Sequence, residues 1–555
     1  MNMDRGVTEA SSAHKRRFEH LRGNRGCEEA HWREVSQFVY PEADDFFTDS
    51  TTRTKGERRH TRIYDSTAML SLQKFASLVE SLVVPRNSRW HNMVMNDATV
   101  MRNKEAQQWL ADTTATLFRH RYDPRANFQG QFSENLMSIG AFGNGAFFTD
   151  RDQKRKGFRY KAIFLGDVYF DVDFQGVLDT VYRRFDLSHK QAIQQFGDKV
   201  PEIVKKNVGE KPDERNQYIH VVCPNDDLSP GKPGPSGMAF KSIYLHLDTG
   251  VELEAGGYRT NPYSVGRYQT SPHEVLGRGP AMSILPDIRT LSEMGRADLR
   301  ATHKLVDPPL LAHDDGVIGS GRQQIYLDPG MVSMGGVSAD GRQLIQPLQT
   351  GARVDLNEAK MEQKRNVIRE AFLVDLFRLH QETKRMTATE SMMRNQDRGA
   401  QAGPIMGRLQ SEQLSAIIER ELDIAMESEL IPPPPQIIQE ALAEGEYDIT
   451  FESPLSRMQR AENLIGIDML IQQGVTLANA GMPEALKTID GLEIMRLTAD
   501  GGGAPPSVVL SKEAYEAKIQ GEQAQAQAQQ QLESAPAAAS AMKDLAQAEQ
   551  IQRGG

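Results

Sequence analysis

The stretch from Gly277 to Pro432 restricts the possible folds more than any other part of this chain. It opens Gly277-Arg278-Gly279-Pro280 and continues through Ile284, Ile288, Leu291, Gly295, Leu299 and Thr302, an apolar or small stripe at helical spacing. Pro286 fits if the helix starts just before it, because first-turn N–H groups need no partner. Asp287 lies near that start, and Arg296, Arg300, His303 and Lys304 crowd the end, the charge order a helix dipole favours. Asp307-Pro308-Pro309 stops the helix. A Gly-rich segment follows to Gly351, and helix returns from about Asn357 to Leu379 with Met361, Ile368, Phe372, Leu376 and Leu379 on one face. A polar run, His380 to Met386, then meets Thr387-Ala388-Thr389-Glu390, where hydroxyl and carboxylate have capping-box spacing. The third helix reaches Ile431 and ends at Pro432 to Pro435, with a kink expected between Gly399 and Pro404.

With 555 residues the chain exceeds one core and predicts two to four structural units. At 39% hydrophobic and 25% charged it has the balance of a soluble protein. Cys27 and Cys223 are too few and too far apart for a disulfide framework or a Cys-based zinc site. Met1 to His20 is polar, and no run of 18 apolar residues occurs, so neither export nor membrane insertion is expected. Ser411 to Gly555 holds 23 acidic and 9 basic residues, a net −14. The first 410 residues hold 56 basic and 52 acidic, a net +4, which argues for loose contact with nucleic acid or none.

Before the central stretch, helices are expected over Ala13–Tyr40, from Asp65 or Ser66 to Pro85, over Lys104–His120 and over Phe128–Ile139. From Gly143 to Tyr268 the signal is mostly β. Asn144-Gly145 reads as a turn, Tyr160–Phe170 and Val177–Phe185 as strands about an Asp173–Gly176 turn, and Ser188–Phe196 as a short helix. Further strands are expected at Tyr218–Val222, Ser242–Leu247, Val251–Leu253 and Tyr447–Phe451, and a helix over Met458–Gln473. The predicted fold class is α+β, mainly helical, with helices N-terminal to a small sheet. Past Gly501-Gly502-Gly503, Lys512 to Gln550 is Gln/Ala/Glu-rich and reads as disordered, or as a helical barrel among identical chains.

Few residues suggest catalysis. His313-Asp314-Asp315 has the residue types of a phosphohydrolase metal site, but no second His pair at helical spacing accompanies it and Gly316 signals a turn. No GxxxxGK[ST] exists, which disfavours a P-loop ATPase. Arg296, Arg300 and Lys304, like Lys360, Lys364 and Arg365, read either as solvated helix faces or as partners of Glu293, Glu358 and Glu362.

The ordered set GRGP, long helix, DPPLL, Gly-rich insert, second helix and RMTATE resembles the portal, or head-to-tail connecting, proteins of short-tailed bacteriophages. So do Tyr64-Asp65-Ser66-Thr67-Ala68, Pro85 to Trp90, Gly143-Asn144-Gly145, Val181 to Phe185, and Asn261-Pro262-Tyr263 with Gly266-Arg267-Tyr268. The likeness implies a wing over 1–276 and a first stem helix over 277–306, followed by a clip over 307–352. A second stem helix over 353–379, a channel loop over 380–386 and a long wing helix over 387–435 come next, then a crown over 436–503 and the Gln/Ala tail over 504–555. It further implies a ring of about twelve subunits at one capsid vertex, with duplex DNA passing through it. Expected partners are the terminase motor, tail adaptor proteins, and the major capsid and scaffolding proteins; no enzyme activity, cofactor, metal or membrane is expected. The virion is the expected location, after assembly in the host cytoplasm. Lys384 and Arg385 would face the DNA from the loop that Thr387 and Glu390 cap, and Arg296, Arg300, Lys304, Lys364 and Arg365 would line the stem. The rival readings are a metal-dependent phage hydrolase using His313, Asp314 and Asp315, and a tail adaptor or scaffold without a channel.

Overall fold

The computed structural model describes residues 9–43, 46, 59, 63–86, 89–95, 100, 103–152, 155–229, 231–232, 234–312, 337, 340–348, 354–374, 403, 405–439 and 447–451, and scattered positions from 466 to 521. The chain divides into two units, Met1–Ser453 and Pro454–Gly555. In the second, the longest described run is helical, 469–477, passing the end expected at Gln473. Its Met469, Leu470, Val475 and Leu477 are exposed.

The first unit is an α+β body. Its first helices are α1, Glu9–Asn24, and α2, Gly26–Val39, where one continuous helix is expected. The break falls at Arg25, which is buried under the ring of Tyr169 at 3.7 Å. Its guanidinium donates to the carbonyls of Leu165, Gly166 and Val168 and to Glu29. A buried cation needs such acceptors, and a straight helix through this point would not deliver one.

Next come α3, Thr67–Val83; strand β1, His91–Met95; α4, Lys104–Arg121; and α5, Phe128–Phe142. Asn103 caps α4, its Oδ1 accepting from the amides of Glu105 and Ala106. Helix α3 buries Ala68, Leu72, Phe75, Ala76, Val79 and Val83 on one side, the face that packs on α5.

The expected turn at Asn144-Gly145 lies one residue earlier. Gly143, at φ 78°, ends α5, and Asn144 already belongs to strand β2, Asn144–Arg151. Tyr160–Phe170 is two strands rather than one, β3, Phe158–Ile163, and β4, Val168–Val172, separated by a turn at Leu165–Asp167. That split serves two sheets. After β4 come β5, Leu178–Ser188; helices α6, His189–Phe196, and α7, Glu202–Asn207; then β6, Arg215–Pro224, β7, Phe240–His246, β8, Glu252–Tyr258, and β9, Tyr263–Arg267. Strands β4 to β8 form an antiparallel meander in chain order, and β2 sits between β3 and β9. Ser188 and Gln191 form a capping box at α6.

In the meander His220 is fully buried. Tyr263 and Ser242 hydroxyls lie 2.7 and 3.0 Å from its two ring nitrogens, and Tyr244 stacks on it at 4.1 Å. Burial, with the nearby charge of Arg183, pulls its pKa down to about 3.

Short strands β10, Gln269–Thr270, and β11, Gly277–Arg278, pair just before helix α8, Pro280–Ser283, and helix α9, Leu285–Val306. Pro286 falls in the first turn of α9, where it removes no hydrogen bond. Here three glycines explain the GRGP run. A Cβ on Gly143 would lie 2.4 Å from the Gly277 carbonyl oxygen and the Gly279 nitrogen, and one on Gly279 would lie 2.7 Å from the Gly143 nitrogen. The chains therefore cross backbone on backbone. Asn144, itself buried, pairs with Gly277 like a strand residue, accepting from its amide at 2.6 Å and donating to its carbonyl at 2.9 Å.

Beyond α9, β12, Leu310–Ala312, pairs with β13, Ile345–Pro347. Helix α10, Val354–Ala371, follows, and then α11, Ser415–Glu427, preceded by a π-helical turn at Leu409–Leu414. The helix expected to run to Leu379 ends at Ala371, with Leu373 at φ 58° and the buried Phe372 closing its end. The third helix stops at Glu427, four residues before the expected Ile431. The turn carries Gln413 into the core, where its amide exchanges hydrogen bonds with Asn135. Strand β14, Tyr447–Phe451, falls where expected and pairs with β1, His91 opposite Phe451.

Among the described residues, no helix is long and apolar enough to cross a membrane.

Candidate functional site

The central feature of the sequence folds as an antiparallel hairpin, α9 against α10. Lys364 Nζ lies 2.6 Å from Asp287 near one end, and Asn357 donates to Asp298 at 3.1 Å near the other. Between them Ile288, Leu291 and Met361 are buried; beyond Lys364, Ile368 is buried too, and Phe372 packs edge-on against Phe75 of α3. The apolar stripe anticipated on α9 is real, but only its first half is covered. Leu285, Ile288, Leu291, Ser292 and Gly295 are buried, whereas Leu299 is 50% exposed and Val306 80% exposed. Thr302 is exposed as well.

The root of the hairpin is tied to the body by charge. Arg365 reaches Asp65, just before α3, at 3.0 Å, and also meets Glu358 at 2.8 Å and Glu362 at 3.2 Å. Burial works against ionisation of Asp65, but hydrogen bonds from Thr67 and the Arg365 guanidinium outweigh it and hold its carboxyl below the usual range. The Glu358 contact, followed by those of Asp65 and Glu362, raises the Arg365 pKa. Arg289 links α9 to Glu34 of α2 at 2.7 Å.

The five stem cations therefore fall into two groups. Arg296 stands 3.7 Å from Glu293 and 5.8 Å from the Tyr64 ring centre, and Lys364 and Arg365 are paired as above. Arg300 and Lys304 are exposed and meet no carboxylate among the described residues. Both lie on the half of α9 that also exposes Leu299. Lys384, Arg385, Thr387 and Glu390, and likewise His313, Asp314 and Asp315, lie outside the described residues.

The body holds a buried charge pair that the sequence did not mark. Arg121 at the end of α4 and Glu421 of α11 are both fully buried and form a bidentate pair, with Nε to Oε1 at 2.9 Å. Tyr160 of β3 donates to the same carboxylate at 2.6 Å. The Arg121 guanidinium also lies over the Trp90 ring at 4.5 Å. His91 packs beside it, stacked on Phe118, with neither ring nitrogen bonded. Burial, and then the Arg121 charge, keep His91 neutral with a pKa well below the ordinary value. Nothing in the order of residues around Arg121 distinguishes it from a solvated helix-end cation. Among the described residues, no group of three or more His, Cys, Asp or Glu side chains could hold a metal ion.

Known proteins resemble this chain along most of its length. The family profile described as bacteriophage head to tail connecting protein matches residues 11–510. A probable portal protein of Bordetella phage BPP-1 is 26% identical over 519 residues, 92% of this chain and 91% of the relative. The portal protein of Salmonella phage epsilon15 is 24% identical over 543 residues, 95% of this chain and 94% of the relative. The chain belongs to the bacteriophage head-to-tail connecting proteins, the portal family.

Proposed function

We propose that the chain assembles into a closed ring of about twelve copies at one capsid vertex, and that duplex DNA passes through the ring during packaging and ejection. Family membership makes it a structural component of the phage particle. The observation that carries the ring reading is the bare second half of α9. Leu299 and Val306 continue a stripe whose first half is core, with Leu305 exposed beside them, and a solvated monomer gains nothing from that continuation. A neighbouring hairpin would cover it. In this reading α9 and α10 form the stem, residues 307–352 the clip that meets terminase motor and tail adaptors, and 436–503 the crown. The wing faces the capsid and scaffolding proteins.

Arg300 and Lys304 are the stem cations free to meet passing phosphates, whereas Arg296, Lys364 and Arg365 spend their charge largely within the chain. Lys384 and Arg385 would add a belt of charge about the axis, one pair per copy. Duplex DNA presents one phosphate per roughly 1.7 Å, so such a belt acts on many charges at once. The test is Lys384→Ala/Arg385→Ala. Ring mass and melting temperature should match the parent while heads retain less DNA. Normal retention at low and high salt would take this loop off the DNA-handling surface.

A further inference from the structure

The turn joining β4 to β5 is tightly built. Asp173 Oδ1 accepts from the amides of Gln175 and Val177, both at 2.8 Å, and Gly176 takes the positive φ of 83° that the turn requires. Every one of these needs is met by small or polar residues. Yet the remaining position holds Phe174, 94% exposed, next to a half-exposed Val177. A rigid turn thus holds an aromatic ring in water, where it contributes nothing to the fold. Aromatic anchors of this kind dominate protein interfaces. The flanks are acidic: Asp171, Asp173 and Asp179 crowd together, with Arg17 paired to Asp171.

A cleft of about 520 Å³ lies elsewhere on the body, along the solvent side of α3. Leu70, Leu78 and Val374 are apolar residues lining it; Lys74 is the one charge among its lining residues, with Ser77 and Ser81 beside it. Leu70 is 47% exposed there. On the buried side of α3 Phe75 packs on Tyr268 at 6.1 Å, and the neighbouring Arg267 donates to the Gly176 carbonyl of the turn at 3.5 Å. The cleft residues Gln73, Lys74, Ser77 and Ser81 lie on another face of the same helix, away from the Phe75 side that these contacts reach.

We infer that Phe174 of one copy seats in the α3 cleft of the next, with its acidic flanks against Lys74, as a head-to-tail contact around the ring. The inference rests on the ring reading above and names one of its joints. Two different patches on one chain, each complementary to the other, make a heterologous contact, which closes into a ring when the rotation allows.

Full-length chains carrying Phe174→Glu or Leu70→Glu test it, since both positions are exposed and neither change disturbs the fold. Each variant alone should melt as the parent does but fall apart into single chains at concentrations at least tenfold above those where parent rings persist. Mixed one to one, they should form a dimer at concentrations where either variant alone stays a single chain. The intact knob of Leu70→Glu meets the intact cleft of Phe174→Glu, and both outer ends of that pair are spoiled. Native mass measurement reads all three states. Parent-like rings from either variant would overturn the joint and leave the ring reading standing. A parent chain that stays monomeric would overturn the ring reading itself. A cross-link from Ser77→Cys to residues 375–386 of the same chain, or to a capsid protein, would assign the cleft to that occupant and overturn the inference.

Discussion

The two halves of α9 obey opposite rules although they share one helix and one stripe. From Leu285 to Gly295 the stripe is core, pressed onto α10, with Tyr64 ahead of α3 lying against Ser292 and Gly295, and Ile288 is 4% exposed. From Leu299 to Val306 the same periodicity meets solvent, and the cations at Arg300 and Lys304 pair with no described carboxylate. Periodicity alone reports that a helix has an apolar face. It does not report whether the chain itself or a neighbour covers that face.

Ile288→Asp should abolish folding, because it puts a charge where no partner exists, while Leu299→Asp should leave the melting temperature within a degree or two and impair only assembly. Equal losses of stability would erase the contrast. Glu421→Ala sharpens it from the body's side. It strands Arg121 in a fully buried site and should cost about 3–5 kcal/mol, read as a lowered urea midpoint with an unchanged slope. Acid should weaken the body in a graded way. His220 and His91 have folded pKa values below the unfolded value near 6.5, so the unfolded chain takes up protons first as pH falls. Stability should be flat above neutral pH and drop by about 2–3 kcal/mol for His220 alone near pH 4.5. The hairpin's Asp65–Arg365 tie, whose carboxyl titrates lower than usual, should survive there. Amide exchange that speeds up in α9 and α10 before it does in the β4–β8 meander would reverse the order.

Much of the fold was legible in the sequence wherever one local rule decided the outcome. Pro286 at a helix start, the Asp173–Gly176 turn and the strand at Tyr447 each follow from residues within a few positions. What escaped depended on distant partners. The break at Arg25 exists because carbonyls some 140 positions away need a donor. The same holds for the turn at Leu409–Leu414, which answers to Asn135, and for the split between β3 and β4, which answers to two different sheets. Of the candidate site, two of the three cations that pair within the chain were readable as near neighbours of acids, Arg296 with Glu293 and Arg365 with Glu358 and Glu362, but the Lys364–Asp287 link across the hairpin was not.

The crossing of Gly143 with Gly277 and Gly279 has a mechanical meaning. Most joints between secondary elements carry a layer of side chains, and rotamer changes there act as a soft washer between stiff parts. At this crossing the washer is missing: backbone bears directly on backbone, and Asn144 rivets the two strands with a pair of hydrogen bonds. A push on the root of α9 is therefore delivered to β2, and through it to β3 and β9, with little lost to side-chain play. On this geometry the root of the hairpin and the three-stranded sheet should move together.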